Sequence, residues 1–461
     1  MKLRKKYLIV LVLLVFIIIQ QTACSKYDKN YTNPDSEWLS GGSQTVFDIG
    51  SGSFGHAFPG MDEKLKRVHE IGDAQFNATF VSAPAPLNPG RGPIYNNVSC
   101  GSCHISDGRG KVPGASDSSV STLFRVSIPG TDAQGGPNPV PGYGVQIQNL
   151  ANFGFTPEAK VTVAYTERTF SFDDGSTYNL RYPVYTIQNP YTALPSNIML
   201  SPRVASPVFG VGLLEAISEN SILANADESD ADGDGISGRP NYVWNAVTKS
   251  TTLGLFGWKA NQPSLLQQVA AAYNQDIGIT NFVFPEESSY NQPQWDKNSK
   301  IELSDSLLYA AAFYVQTLAV PARRNVQDAQ VQQGKLLFAD AGCSKCHIPD
   351  MRTAVNVAFP AISNQLIHPY TDLLLHDMGD DLADNRPDYK ASGKEWRTAP
   401  LWGIGLTQRV NGHSNFLHDG RARSLLEAVM WHDGEALSAK NKVKAMSAAQ
   451  RSALIKFIES L

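Results

Sequence analysis

Cysteine is scarce in this chain: Cys24, Cys100, Cys103, Cys343 and Cys346 are the five it has in 461 residues. That is too few, and too tightly paired, for the disulfide framework that staples small secreted domains. Charge is sparse as well. Charged residues make up 18% of the chain, the formal net charge is −4, and no basic block follows Lys2–Lys6. Nucleic acid is therefore not an expected partner. Long apolar runs are missing with one exception, the twelve residues from Leu8 to Ile19. That run is too short to span a bilayer comfortably as a permanent helix. Finally, the 37 glycines and 27 prolines are scattered and form no repeat, which excludes a fibrous chain and suggests a loop-rich globular one.

What is present is organised around two short runs, Cys100-Gly101-Ser102-Cys103-His104 and Cys343-Ser344-Lys345-Cys346-His347. With so few Cys and His, one Cys-x-x-Cys-His run arises by chance in roughly one such chain per thousand, so two are a strong signal. The spacing suits covalent haem: the two thiols form thioethers and the following histidine becomes the proximal iron ligand. A zinc knuckle and a redox dithiol are the alternatives. Zinc needs four ligands at one place, and the two runs are distant in sequence but free to meet in space. A dithiol needs no following histidine. The expected cofactors are two covalent haem c groups.

The basic start Met1–Tyr7 followed by the apolar run has the pattern of an export signal over residues 1–23. Gln21-Thr22-Ala23-Cys24 resembles a lipoprotein cleavage box, with Cys24 as the lipidated first residue of the mature chain, although Gln21 departs from the usual aliphatic residue. With Cys24 lipidated and four cysteines on haem, no thiol is left for a disulfide. The expected address is the periplasmic side of a bacterial cell, lipid-anchored to the outer membrane; haem c attachment, on the outer side of the inner membrane, points to the same compartment.

Residues 24–57 are rich in Ser, Gly, Asn and Asp and read as a flexible tether. About 400 residues follow, enough for two domains with cores of their own. Leu65, Val68 and Ile71 recur at helical spacing, and helices are expected again over Ser264–Tyr273 and Ser304–Leu318. Between about 120 and 190 the period changes to that of strands, at Leu123–Ile128, Lys160–Thr166, Tyr178–Tyr182 and Val184–Thr186, with Asp173-Asp174-Gly175-Ser176 as a hairpin turn. This β insertion is either a lid or partner surface, or a structural flap. A linker is expected at Pro321–Arg324. A helix then leads into Cys343, and a capping box at Ser447–Gln450 opens a terminal amphipathic helix. The stretches Arg203–Leu213 and Arg397–Leu406 share an Arg, Ala, Pro, Gly, Gly, Leu order, so the chain reads as one duplicated fold. The expected class is mainly α: two cytochrome c-like haem domains, 58–325 with the β insertion and 326–461.

Asp230-Ala231-Asp232-Gly233-Asp234-Gly235-Ile236 places carboxylates at alternate positions with glycine at the sixth, as a calcium loop does. Asp230, Asp232, Asp234 and the Ile236 carbonyl are the candidate ligands for Ca2+. The twelfth position is Asn241 instead of glutamate, and an acidic solvated turn is the alternative.

These features, with Gly92–Asn96, Gly212–Ile217, Phe256–Lys259, Asp372–Gly379 and His418–Ala428, resemble the di-haem oxidoreductase family, often labelled thiol oxidoreductase and similar to the bacterial di-haem cytochrome c peroxidases. The "thiol" label has no support here, since no free cysteine remains. The resemblance implies two c-type haems, electron transfer and peroxidase-like chemistry. In the related peroxidases the second haem takes a Met, or in one maturation enzyme a Tyr, at the end of the helix after a His-Asp-Gly turn. Counting on from His418-Asp419-Gly420, that place falls on His432. Met430 is its rival, followed by Met378, His376 and His418. Bis-His iron lies lower in potential than His/Met iron. For the first haem the resemblance puts Glu215 in the place of a proton-relaying carboxylate; a capping or ion-pairing residue is its plain alternative. Trp258 or Trp402 could stand between the haems, or be core. The expected function is an exported di-haem peroxidase-like enzyme served by a redox partner protein, with peroxide as the small-molecule substrate. The other readings are an electron carrier without turnover and an oxidative enzyme acting on a protein or small molecule.

Overall fold

The computed structural model of the chain describes residues 37–113, 121–297, 300–356 and 359–461. The expected signal 1–23 and Cys24 lie outside the described residues. No helix among the described residues is long and apolar enough to cross a membrane.

The helices that build the site are α1 (Glu63–Asn77), α2 (Cys100–Cys103), α3 (Val211–Glu215), α4 (Leu265–Ala272) and α5 (Asp305–Gln316), then α6 (Ala329–Ala341), α7 (Leu425–Trp431) and α8 (Ala448–Ser460). Asp62 starts α1 by accepting the Leu65 N–H at 2.8 Å. His69, Gly72 and Phe76 form the buried stripe of α1. It crosses α5 at Gly72, where a Cβ would stand 2.1 Å from the Ala310 carbonyl oxygen. Helix α6 crosses α8 in the same manner: a Cβ on Gly334 would stand 2.0 Å from the Ala453 carbonyl oxygen. Only glycine lets backbones approach this closely. The expected capping box, Ser447 with Gln450, opens α8.

The internal echo read from sequence occupies matching places. Gly212 rests against the Gln316 carbonyl at the end of α5, and Gly405 against the Glu459 carbonyl at the end of α8, so close that an added Cβ would stand 1.9 Å from the oxygen in each case. Gly210 and Gly403 both adopt positive φ, +72° and +70°. Their neighbours are exchanged: Trp402 packs on Gly210, and Phe209 packs on Gly403. Reciprocal contact of this kind is the mark of a two-fold relation, here between two parts of one chain.

The β insertion has two parts. Strands β1 (Thr122–Thr131) and β4 (Met199–Val204) pair antiparallel from Thr122↔Val204 to Ser127↔Met199. Strands β2 (Lys160–Ser171) and β3 (Thr177–Gln188) form a hairpin with Ser171 opposite Thr177. Both hairpin strands extend beyond the apolar alternation in the sequence, because backbone pairing continues where the side chains are exposed. The tip reaches the second unit, where Phe172 and Leu180 join its core. Tyr182 meets Trp431 edge-on at 4.7 Å, and the Arg451 guanidinium lies over Phe172 and bonds Asp174 at 2.7 Å. Burying each such apolar side chain contributes about 1.5–3 kcal/mol, so the hairpin clasps one unit to the other.

Three expectations need correcting. Residues 37–57 are not a tether: Thr45–Val46 pairs in parallel with Val320–Pro321, and Phe54 is 1% exposed and stacked on Phe209 at 4.2 Å. Polar composition hid this, because the few apolar residues there are the ones that dock. The stretch 321–324 is likewise no free linker, since Arg323 is buried and its guanidinium pairs with Glu37. The boundary near 325 is also crossed: Ile367, Leu374 and Trp402 belong to the core of the first unit.

Candidate functional site

Ser99 caps α2 by accepting the Ser102 N–H at 3.1 Å. One helical turn separates Cys100 from Cys103 and sets both thiols on one side, with His104 directly after them. The His104 Nδ1–H donates to the Ser206 carbonyl at 2.7 Å. In the second run the turn is a 3-10 one, Cys343–Lys345, and the His347 Nδ1–H donates to the Tyr370 carbonyl at 2.9 Å. Both bonds leave Nε2 as a lone-pair donor, the tautomer an iron ligand needs. Burial keeps both rings neutral, His347 being pushed down to about 4. The Ser206 and Tyr370 carbonyls carry no sequence signal, because any residue supplies one.

Both runs open into one cavity of about 460 Å³. Burial pushes the thiols of Cys100, Cys103 and Cys343 up to about 12 and that of Cys346 upward. A reactive dithiol needs the opposite shift. Among the described residues, the one cluster of potential ligand atoms close enough for a metal ion is made of carboxylates, so the cysteines and histidines do not converge as zinc ligands do. Haem fits this donor set: neutral thiols beside a histidine with a free Nε2, facing a largely apolar cavity. Arg109 adds to the fit. It lines the cavity and its buried Nε has no partner among the described residues, which suits a haem propionate.

Opposite the second run stands His432, just past the end of α7. Its Nδ1–H donates to the Ala428 carbonyl at 2.8 Å, again leaving Nε2 free, and it lies close enough to His347 to disfavour protonation there. Its rival Met430 is fully buried in the core of the second unit and does not line the cavity. Met378 is half-buried: it packs against that same core and also lines the cavity. His376 is held at both nitrogens, by Asp372 at 2.8 Å and Glu435 at 2.7 Å. Burial disfavours its charge, but these bonds keep it protonated well above the ordinary histidine range. His418 lies flat on Trp396, with ring centroids 3.7 Å apart.

Residues 35–461 match the family model described as "Di-haem oxidoreductase, putative peroxidase". The chain belongs to the di-haem oxidoreductase family. No curated protein matches it in sequence. Among solved structures, it is similar to hydrazine synthase of Kuenenia stuttgartiensis at 13% identity and a TM-score of 0.34, over 89% of this chain and 91% of that one.

Within this di-haem oxidoreductase, Glu215 does not line the cavity. Its carboxylate accepts the Leu265 N–H at 2.7 Å and the Gln316 Nε2–H at 2.6 Å, so it caps α4 and ties it to α5. Burial raises its pKa, opposed by those two bonds. Trp258 and Trp402 both line the cavity, and Trp258 donates its indole N–H to the Val204 carbonyl at 2.8 Å. In the acidic loop the converging carboxylates are Asp227, Asp230 and Asp232. Asp227 lies upstream of the repeat that marks the loop in sequence. Asp234 turns away to Lys345 at 2.7 Å, inside the second haem run. The Ile236 N–H donates to Asp234 Oδ1 at 2.9 Å.

Proposed function

We propose that this di-haem oxidoreductase is an exported, c-type peroxidase built from two cytochrome c-like units. Cys343, Cys346, His347 and His432 would hold a haem suited to taking single electrons from a donor protein. Cys100, Cys103 and His104 would hold the other haem, the one that would meet peroxide. One observation carries this reading: the two runs share a cavity, and His432 stands in it close to His347. Beyond the two runs, His432 is the imidazole in that cavity whose Nδ1 is tied to a backbone carbonyl with Nε2 left free. His376 is locked between carboxylates, while Met378 also lines the cavity and offers a thioether instead of an imidazole. When bound, a haem supplies an iron that takes peroxide oxygen and passes electrons singly. The protein's own part would be to offer the free Nε2 of His432 beside the second run and to keep the His104 and His347 rings neutral.

Electron paramagnetic resonance and visible spectra of the oxidised protein test this. One high-spin and one low-spin haem are expected, with His432→Ala turning the low-spin signal high-spin. Two low-spin haems in the resting, half-reduced and fully reduced forms would refute the reading. A second reading, an electron carrier without turnover, draws on His418. Its ring nitrogens make no hydrogen bond among the described residues. Restoration of a high-spin first haem in His418→Ala would favour it.

A further inference from the structure

Helix α4 presents one face to the shared cavity: Leu265, Gln268, Val269 and Ala272, spaced three and four residues apart, all line it. The helix does not stop there but widens into a π-helical turn, Tyr273–Ile277, which carries Asp276 onto the same face. Such turns are uncommon and concentrate at functional sites.

Asp276 is fixed to the first haem run by its own backbone. Its carbonyl accepts the N–H groups of Asn96 at 2.8 Å and Asn97 at 3.1 Å, just before Cys100. The turn is held from the other side by the segment after β1. Gln146 Nε2 and Gln148 Nε2 donate to the Gln275 carbonyl at 3.1 and 2.7 Å, and Gln146 also reaches Asp276 Oδ1 at 2.9 Å. Asp276 Oδ2 has no partner among the described residues. The charged group facing Asp276 is Arg125 of β1, which also lines the cavity and bonds Gln275; the thiols of Cys100 and Cys103 are the other titratable neighbours.

We infer that Asp276 is the proton-transferring residue of the first haem site, and that Glu215 serves it as a positioning residue by capping the helix that carries it. This deepens the peroxidase reading and rests on it. The free carboxylate oxygen takes a proton from one oxygen of hydrogen peroxide and returns it to the other as the O–O bond breaks. With two electrons from a one-electron protein donor and two protons from solvent, one peroxide becomes two waters, and the carboxylate ends as it began. Burial shifts Asp276 upward, with Arg125 and Gln146 opposing, which favours a group that can hold a proton briefly.

The test is Asp276→Asn and Asp276→Glu in the haem-loaded protein, read in two ways: peroxide turnover, and the rate of cyanide capture, which needs a base to take the proton of HCN but no turnover. Covalent haem content and the optical spectrum report folding. With both unchanged, Asp276→Asn is expected to slow both processes by about 100-fold or more, and Asp276→Glu to restore part of each. If the wild-type protein captures cyanide but consumes no peroxide, and Asp276→Asn still slows capture, the peroxidase reading fails while Asp276 stands as the proton acceptor. If Asp276→Asn captures cyanide at the wild-type rate, the assignment to Asp276 is overturned.

Discussion

The two haem units share a frame and differ in the side chains that frame presents to the shared cavity. In each, a glycine in the leading helix meets a carbonyl of the closing helix, Gly72 on Ala310 and Gly334 on Ala453. In each, an Arg-to-Leu stretch lays a second glycine against the end of that closing helix. The cavity linings have diverged. The second unit sets His432 in the cavity on a turn, while the first lines it with the α4 face ending in Asp276. Packing between backbones tolerates no addition, so it is retained; a cavity wall tolerates exchange of side chains. On the proposed reading, duplication of such a unit would give one iron closed by a ligand and one left for chemistry.

The strongest way to break this comparison is to remove one haem at a time. Cys100→Ala with Cys103→Ala, and Cys343→Ala with Cys346→Ala, should each halve the covalent haem measured as pyridine haemochrome. The consequences should be unequal. The first pair abolishes peroxide consumption yet leaves a haem the donor reduces; the second leaves a haem that binds cyanide but accepts no electrons from the donor. Equal loss of both properties in both proteins would mean that the units do not divide the work.

A smaller effect sharpens the shared half. Gly72→Ala and Gly334→Ala each force a methyl onto a backbone carbonyl, at 2.1 and 2.0 Å, so the helices must part. Overpacking of this kind costs about 1–3 kcal/mol. The two substitutions should lower the denaturation midpoint by similar amounts. A large effect at one glycine and none at the other would deny their equivalence.

What the sequence made legible were the features that repeat or that chemistry constrains tightly. The haem runs, the echo Arg203–Leu213 with Arg397–Leu406, the hairpin turn at Asp173–Ser176 and the Ser447 capping box are local patterns, and each stands where its spacing placed it. Long-range partnership was not legible. Nothing in Asp276 distinguishes it until α4 is seen to continue through a π-helical turn into the cavity. Glu215 reads as a carboxylate near a haem, yet its oxygens are taken by Leu265 and Gln316 from two other helices. Residues 37–57 look like linker because their anchoring depends on two strand residues and Phe54, too few to give a period.

One ionic device belongs to the second unit. Glu435, three residues after His432, accepts from Ser237 Oγ at 2.7 Å, the Ser237 N–H at 3.1 Å, the Asp377 N–H at 3.2 Å and His376 at 2.7 Å. Ser237 directly follows the acidic loop, so this carboxylate ties the first unit to the turn that bears His432. Burial works against its charge, but His376 and Ser237 hold it down to about 2, against an ordinary value of 4.5. A carboxylate depressed in the folded state contributes stability that is full above its unfolded pKa and is lost as pH falls through the folded one. His376 works in the opposite sense: raised above 6.5, it contributes fully below that value and loses its contribution as pH rises through its folded pKa. Stability from Glu435 should therefore hold down to about pH 4.5 and drain away toward about pH 2. Glu435→Gln should cost about 1–3 kcal/mol at pH 7, the range for a buried hydrogen-bonding group deprived of its partner. It should also flatten the acid slope in denaturation curves followed through the haem absorbance. If wild type and variant lose stability in parallel between pH 4.5 and 2, the tie at Glu435 is not what holds the His432 turn in place.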